Sequence, residues 1–339
     1  MYKPREIMSR ESEQNREDGA QEPEPRIPVG VSSCLLGEEV RYDGGHKRNP
    51  FVTEALSRYF RYVPVCPEVA IGLPTPRPPI RLEQAEDERV RVSGVRDRQT
   101  DVTEAMEAYG REKGRELHWL SGYILKSKSP SCGMERVKVY KPDGHPAGFS
   151  SRGAYARTLM ETNPLLPVEE EGRLNDPALR EGFVCRVFCY YRWQRLVEAG
   201  LTRKALVDFH AEHKLLLMAH DDQRMRALGR LVSTLGERPL EAVAEAYIEA
   251  FMAALARPAT RGRHANVLYH LLGYLKRELD PADKQEVVDV IEQYRTGMVP
   301  LIVPVTLLRH HFRHWPDPYV ERQFYLYWSP PELALLNQV

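Results

Sequence analysis

The chain has 339 residues, of which 42% are hydrophobic and 28% are charged. This apolar content excludes a wholly disordered chain, and the length suggests about two domains. The 48 basic and 48 acidic residues balance, so bulk charge points to neither a nucleic-acid nor a membrane partner, and either would need a local basic surface.

Residues 1–26 mix both charges with Pro, Gln and Asn, and we expect them to form a disordered tail. This end has no apolar segment of the kind that secretory signals carry. The longest uncharged apolar stretch, residues 298–308, contains two prolines and is too short to cross a bilayer, so we expect no membrane association. Five cysteines are an odd number and too few for a disulfide framework, which predicts a cytoplasmic protein with free, buried or metal-bound thiols.

Short apolar runs alternate with helical patterns between residues 27 and 200. The predicted strands are VGVSS (29–33), YVPVC (62–66), residues 89–95 and GYILKSKSPSC (122–132). The predicted helices cover residues 50–59, 101–117, 151–161 and 177–198. A loop dense in proline, GLPTPRPPI, follows the second strand and excludes a helix there. The alternation predicts an α/β domain with a mostly parallel sheet over residues 27–200.

Three cysteines lie at the carboxyl ends of predicted strands: Cys34, Cys66 and Cys132. The carboxyl ends of parallel strands share one edge of a sheet, which is where ligands bind in open α/β folds. Three thiolates there suggest an iron–sulfur cluster with one open iron or a three-cysteine zinc site, although no C-x-x-C pair is present. Buried core cysteines are the alternative. Cys185 and Cys189, four residues apart on an apolar helix, are predicted to be core residues.

Residues 201–339 have apolar spacings of three and four and predict an all-α domain. The predicted helices cover residues 206–234, 239–256, 263–279 and 281–296. Five cations without an intervening acid occur between residues 250 and 277, with tyrosines interleaved, and they are candidates for RNA binding: Arg257, Arg261, Arg263, Lys276 and Arg277. Chance clustering on a solvated helix face is the alternative.

Long motifs in the first domain resemble the TudS-type thiouracil desulfidases. They are VGVSSCLLGEEVRYDGGHKR (29–48), VCPEVAIGLPTPRPPIRL (65–82) and KSPSCG (128–133). The second domain resembles the YbgA-like domain of unknown function through FHAEHKLLLMAHD (209–221) and RHANVLYHLLGYLKREL (263–279). A chain that joins the two resembles the RudS desulfidases, which remove sulfur from 4-thiouridine in tRNA.

The resemblance implies a [4Fe-4S] cluster held by Cys34, Cys66 and Cys132, with one open iron. It implies a catalytic role for Glu68 of the CPE motif and a helping role for Ser129 of the SPSC motif. A capping carboxylate and an ordinary turn serine are the alternatives for these two residues. The implied reaction is the non-redox desulfuration of 4-thiouridine in tRNA to uridine, with residues 201–339 as the tRNA-binding part.

The loop Asp43-Gly-Gly-His46-Lys47-Arg48 is a candidate substrate-binding segment, because glycines allow close backbone approach and cations contact phosphates. A solvated tight turn is the alternative. Arg77, among prolines, is predicted either to line the pocket or to be a surface charge.

Two other functions stay open. The first is a desulfidase that acts on free thiouracil or thiolated mononucleotides. The second is a metal-stabilised RNA-binding module without catalysis. The expected partners are therefore tRNA or a thiolated nucleobase or nucleotide, with no obligate protein partner.

Overall fold

A computed structural model of the chain describes residues 26–97, 99–330, 333 and 335–337. The predicted tail at residues 1–26 lies outside the described residues, except for Arg26. The described strands are β1 (Ile27–Ser32), β2 (Phe60–Val65), β3 (Ile80–Gln84), β4 (Val90–Gly94), β5 (Gly122–Leu125), β6 (Val137–Tyr140), β7 (Pro146–Ser151) and β8 (Val168–Glu170).

The described α-helices are α1 (Pro67–Ala70), α2 (Thr103–Glu116), α3 (Ala154–Thr162), α4 (Pro177–Glu198), α5 (Arg203–Ser233), α6 (Leu240–Leu255), α7 (Arg261–Tyr274), α8 (Pro281–Thr296), α9 (Ile302–His314), α10 (Pro318–Glu321) and α11 (Phe324–Tyr327). The predicted helix at 50–59 is instead a π-turn, Phe51–Ala55, followed by a 3₁₀ turn, Leu56–Arg58. The fold class is confirmed: an α/β part is followed by a helical part.

The first sheet has the strand order β2-β1-β5-β8, and every neighbouring pair is parallel. Alternate side chains of β5 point to opposite faces, as the pleat requires. Tyr123 and Leu125 pack with residues of α2 and α3 on one face, and Ile124 packs towards α4 on the other. Helices on both faces bury the sheet, which leaves the carboxyl edge of its strands as the open side.

A second sheet, with the order β4-β3-β6-β7, was missed by the sequence prediction apart from β4. It is mixed, because β3 pairs in parallel with β6 while the two outer pairs are antiparallel. β7 (PAGFSS) is mostly exposed and lacks apolar alternation, and the alternation in β6 (VKVY) covers only four residues. Neither gives the signal on which strand prediction depends.

Helix α4 joins the α/β part to the helical part. It begins at Pro177. The Asp176 side chain caps its N-terminus by accepting hydrogen bonds from the backbone N–H groups of residues 178 and 179. One side of α4 packs on the first sheet through Phe183 and Val187. Its last turns carry Trp193, which stacks on Tyr247 of α6 with ring centroids 5.8 Å apart. One hydrophobic core therefore runs through both parts.

Within the described part of the chain, no helix combines the length and the apolarity that crossing a membrane requires.

Candidate functional site

Cys34, Cys66 and Cys132 all line one cavity of about 390 Å³ at the carboxyl edge of the first sheet. Cys34 lies in the 3₁₀ turn that follows β1, and Cys66 is the residue before α1, directly after β2. Cys132 lies in the loop after β5. Because β1, β2 and β5 are parallel neighbours, their carboxyl ends bring these three residues to one place.

The three thiols form a donor set that suits an iron–sulfur cluster. Burial raises the pKa of each thiol, that of Cys34 to about 11, while the nearby cations Lys126 and Arg41 favour its thiolate. A hydrogen bond with Ser32 likewise favours the thiolate of Cys132. The described residues include no group of three His, Cys, Asp or Glu side chains spaced for a single metal ion. A cluster has no such requirement, because each thiolate binds a different iron.

Glu68 is held on the wall of this cavity by contacts to both of its carboxylate oxygens. Arg77 donates to Oε2 from Nε at 3.0 Å and from Nη2 at 2.5 Å. Ser131 donates its hydroxyl to Oε1 at 2.7 Å. The Glu68 side chain is 15% exposed and that of Arg77 only 3%. The carboxylate is therefore fixed in direction and still reaches the cavity.

Arg77 is anchored in turn by backbone and side-chain acceptors around it. Nη1 donates to the Pro74 carbonyl at 3.0 Å and to the Thr75 hydroxyl at 3.2 Å, and Nη2 donates to the Val40 carbonyl at 3.0 Å. The Pro-dense loop thus holds a buried guanidinium in one orientation. The structure places Arg77 in the cavity wall and not on the surface.

The two serines of the SPSC motif have different contacts. The Ser129 hydroxyl accepts hydrogen bonds from the backbone N–H of Ser131 at 3.2 Å and of Cys132 at 3.1 Å. Ser129 therefore shapes the loop that carries Cys132, although it also lines the cavity. Ser131 is fully buried and contacts Glu68. The motif predicted a role for Ser129 but not for Ser131, two positions away.

The Cys132 loop is braced by the start of α3. Backbone N–H groups of Ala154 and Ala156 donate to the carbonyls of Pro130 and Ser131, both at 3.0 Å. Gly153 allows this approach, because a Cβ there would lie 2.4 Å from the Ser131 carbonyl oxygen. The chain needs a glycine at this position to keep the loop and α3 together.

A second ion pair closes the other side of the cavity. Lys126, which follows β5, pairs with Glu171, which follows β8. Glu171 also accepts hydrogen bonds from the Ser127 backbone at 2.7 Å and the Ser127 hydroxyl at 2.9 Å. Lys126 and Ser127 were not predicted as site residues, although they belong to the run KSKSPSC between β5 and Cys132.

Among the predicted substrate-binding residues, Lys47 and Arg77 line the cavity. Asp43, His46 and Arg48 are exposed and lie outside the lining. Their side chains make local contacts instead. Asp43 accepts a hydrogen bond from the backbone N–H of Gly45, His46 accepts one from the backbone N–H of Arg48, and Arg48 forms an ion pair with Glu54. The cations Arg41 and Lys128, which were not predicted, line the cavity instead.

The predicted RNA-binding cations fall into two groups at opposite ends of α7. Arg257 pairs with Asp221 at 2.5 Å, and Arg263 donates to the His220 carbonyl at 2.8 Å, so both hold the kink of α5 at Asp221. Arg261 begins α7, while Lys276 and Arg277 are exposed just beyond its last turn. The 14 residues of α7 separate these groups by about 20 Å.

Cys185 and Cys189 are buried on α4, as predicted. Cys185 forms side-chain hydrogen bonds with Cys189 and His220. Both cysteines pack in the core that the two parts of the chain share.

Comparison with known proteins finds two families along this chain. Residues 29–171 match the family described as 2-thiouracil desulfurase, and residues 214–330 match a protein family of unknown function, DUF1722. The uncharacterized protein YbgA of Escherichia coli K12 is 33% identical over 141 residues, which cover 41% of this chain and 83% of that protein. The uncharacterized protein YbbK of Bacillus subtilis is 37% identical over 114 residues, which cover 30% of this chain and 71% of that protein.

A solved structure of a [4Fe-4S]-dependent thiouracil desulfidase, TudS, is also similar. It is 32% identical, the match covers 46% of this chain and 97% of that chain, and the TM-score is 0.34.

Proposed function

Because the chain belongs to the 2-thiouracil desulfurase family and joins it to a YbgA-like DUF1722 region, we propose that it removes sulfur from 4-thiouridine in tRNA. The reaction replaces the thiocarbonyl sulfur by the oxygen of water and releases sulfide, so no electron is gained or lost. We propose Cys34, Cys66 and Cys132 as the ligands of a [4Fe-4S] cluster. The cavity that holds all three thiols together with Glu68 is the observation that supports this reading.

When bound by three thiolates, such a cluster supplies an open iron, a Lewis acid that accepts a soft sulfur atom. Glu68 takes a proton from water at the cavity wall, where the carboxylate is already oriented. Arg77 and Ser131 position Glu68 by holding its two oxygens. Ser129 orders the backbone that carries Cys132.

The cavity lining supports an anionic substrate. Arg77 and Lys126 are paired with Glu68 and Glu171, whereas Lys47 and Lys128 have no carboxylate partner among the described residues. Exposed ammonium groups at the mouth of a site suit phosphates. A thiolated base within a polynucleotide has phosphate groups next to it that can bind these lysines. We propose that residues 201–339 bind the rest of the tRNA.

The test is turnover by anaerobically reconstituted full-length protein. We expect about four irons and four acid-labile sulfides per chain, and loss of the 4-thiouridine absorbance of tRNA with release of sulfide. Cys34→Ser, Cys66→Ser and Cys132→Ser should each lose iron, with Cys189→Ser as the matched control that keeps it. Zinc without iron would overturn the cluster, and unchanged thiolated tRNA would overturn the tRNA substrate.

A desulfidase of free thiouracil or thiolated mononucleotides is the second candidate, because the cavity of about 390 Å³ is large enough for either. Comparing kcat/KM for thiolated tRNA, 4-thiouridine monophosphate and 4-thiouracil distinguishes the substrates. Deleting residues 201–339 is a poor test, because it uncovers the side of α4 that carries Cys189 and Trp193. Charge reversal at Lys276 and Arg277 keeps the core intact and should lower kcat/KM for tRNA alone.

A non-catalytic, metal-stabilised RNA-binding module is the third candidate. Glu68→Gln separates it from the enzyme. We expect this variant to keep the brown cluster spectrum and lose turnover on every thiolated substrate. A wild-type protein that binds RNA, holds metal and turns over none of the three substrates would favour the module.

A further inference from the structure

A second cavity, of about 560 Å³, lies between the α/β part and the helical part, and we call it the seam cavity. On the α/β side it is lined by residues of β8, of the loop after Cys132 and of α4. On the other side it is lined by the end of α6, the start of α7 and parts of α8. The sequence motifs and the proposed desulfuration leave this cavity without a role.

Two charged side chains from α4 face the seam cavity without ion partners among the described residues. Glu181 has neither a hydrogen bond nor an ion pair there, and burial raises the pKa of its carboxyl to about 7. Arg186 donates only Nε, to the Gly182 carbonyl at 3.2 Å, which leaves the rest of its guanidinium free. Burial lowers the pKa of Arg186. Leaving such groups unpaired is costly unless a ligand or water satisfies them.

The other cations of the seam cavity differ in whether they are neutralised. Arg173 pairs with Glu169 and Glu135, both at 2.6 Å, and Arg257 pairs with Asp221. Arg261, at the start of α7, has no such partner in the described part of the chain. Arg261 therefore brings an unpaired guanidinium to the cavity, where it lies beside Gly297 at the end of α8.

The remaining lining is mostly aliphatic and includes the imidazole rings of His220 and His264 and the phenol ring of Tyr294. It contains Met134, Met160, Leu179, Leu255, Leu301 and Tyr294. Tyr294 lies close enough to Glu181 and Arg261 for both charges to act on the pKa of its hydroxyl: Glu181 raises it and Arg261 lowers it. Such walls suit a flat organic ring that carries polar groups on its edge.

We propose that the seam cavity binds a pyrimidine nucleoside monophosphate of the uridine type. The ring edge presents a carbonyl to Arg186 and an N–H to Glu181, and the phosphate lies at Arg261. Each polar group that the structure leaves unpaired thereby gains a partner of the right kind. The site is separate from the cavity that Cys34, Cys66 and Cys132 line, which we call the cysteine cavity. It does not depend on the proposed desulfuration.

The experiment is calorimetric titration of the full-length protein with uridine 5′-monophosphate. We expect saturable binding that weakens about tenfold or more in Arg261→Ala and in Glu181→Leu, since each loses a charge-assisted hydrogen bond. Lys47→Ala, on the wall of the cysteine cavity, is the matched control and should leave this binding event unchanged. Inorganic phosphate alone and uracil alone should each bind more weakly than the nucleotide.

Several results would overturn the proposal. These are the absence of binding at millimolar nucleotide, affinity that neither seam variant alters, and nucleotide binding that Lys47→Ala alone abolishes, which would assign the nucleotide to the cysteine cavity. Circular dichroism and melting temperature check that each variant folds. If Glu181→Leu fails to fold, Arg261→Ala still decides, because its side chain is at the first position of α7 and only partly buried.

Discussion

Arg77 and Glu68 form a forked ion pair in which two guanidinium nitrogens share a single carboxylate oxygen, Oε2. This leaves Oε1 to the Ser131 hydroxyl and to the cavity. The two oxygens of the carboxylate therefore have different roles. Oε2, bound by Arg77, fixes the direction of the carboxylate, and Oε1 remains able to accept a proton.

Replacing Arg77 by Lys should lower kcat about tenfold or more while iron content stays near the wild-type value. A lysine keeps the charge but lacks the planar fork that holds Oε2, so Glu68 loses its fixed direction. Turnover with 4-thiouracil and iron analysis check this. Arg48→Lys, in an exposed pair with Glu54, is the control and should have little effect. Equal activity of the Arg77→Lys variant and the wild type would contradict the positioning role.

The two serines of the SPSC motif should give different phenotypes. Ser131→Ala removes the hydrogen bond to Glu68, so we expect a lower kcat with normal iron content. Ser129→Ala removes the acceptor for two backbone N–H groups at Cys132, so we expect incomplete iron loading and a lower melting temperature. Iron per chain and activity per iron separate the two effects. Identical behaviour of both variants would count against the distinction.

Substituting Gly153 by Ala should loosen the Cys132 loop. The new Cβ would clash with the Ser131 carbonyl oxygen, so the loop and α3 have to separate. We expect a loss of about 1–3 kcal/mol of stability together with reduced iron content. Gly273→Ala in α7, where a Cβ meets nothing within 4 Å, is the matched control: it should keep the wild-type iron content and should not lower the stability, because alanine favours a helix more than glycine does. Urea unfolding and iron analysis measure them.

Buried histidines should make the protein sensitive to mild acid. Burial lowers the pKa of His213 and of His264 to about 3 and that of His210 to about 4. The unfolded chain takes up these protons near pH 6.5, so the stabilising effect is complete above that pH and is lost as the pH falls towards 3. For His213 the loss is on the order of 2 kcal/mol by pH 5.

Urea unfolding between pH 7 and pH 5 tests this expectation. His213→Phe should reduce the dependence of the unfolding free energy on pH, because the phenyl ring keeps the stacking with Phe209 and does not titrate. His310→Phe, at an exposed position of α9, is the control. The same pH dependence in His213→Phe and the wild type would contradict the assignment.

The α/β part and the helical part should unfold together. Trp193→Ala removes a ring that stacks on Tyr247 and lies edge-on to Phe209, at a cost of about 3–5 kcal/mol. We expect one calorimetric transition that coincides with loss of the cluster spectrum, shifted as a whole in this variant. Trp119→Ala, at an exposed ring, is the control. Two transitions, with only the helical one shifted, would contradict the shared core.

Regular patterns made much of the fold predictable. The buried parallel strands and the long helices have apolar periods that are independent of distant contacts, so β1, β2, α4, α5, α6 and α8 were anticipated within a few residues. The starts of β5 and α7 were also anticipated, but β5 ends at Leu125 and not at residue 132, and α7 ends at Tyr274 and not at residue 279. Of the second sheet only β4 was anticipated, because β6 has only four residues and β7 is largely exposed. Their identity as strands depends on pairing partners that the local sequence does not reveal.

The part of the site that could be predicted is the place where the three cysteines meet, because a residue at the carboxyl end of a parallel strand lies at a known edge of the sheet. Cysteines that follow parallel strands had to approach the same edge, and they do. Which of two serines touches Glu68, and whether Arg77 is buried, depend on how the loops fold over that edge. The Pro-dense loop and the brace from α3 decide both, and neither contact has a signature in residue spacing.

The segment that carries Cys132 also forms a wall of the seam cavity through Met134, whose backbone N–H is tied to Glu170 at 2.7 Å. Two peptide units thus separate the thiol of Cys132, in the cysteine cavity, from the thioether of Met134, in the seam cavity. A ligand in the seam cavity that displaces Met134 would also displace Cys132, through the two peptide units between them. With the proposed cluster bound at Cys132, we expect occupancy of the seam cavity to change the visible absorption of that cluster.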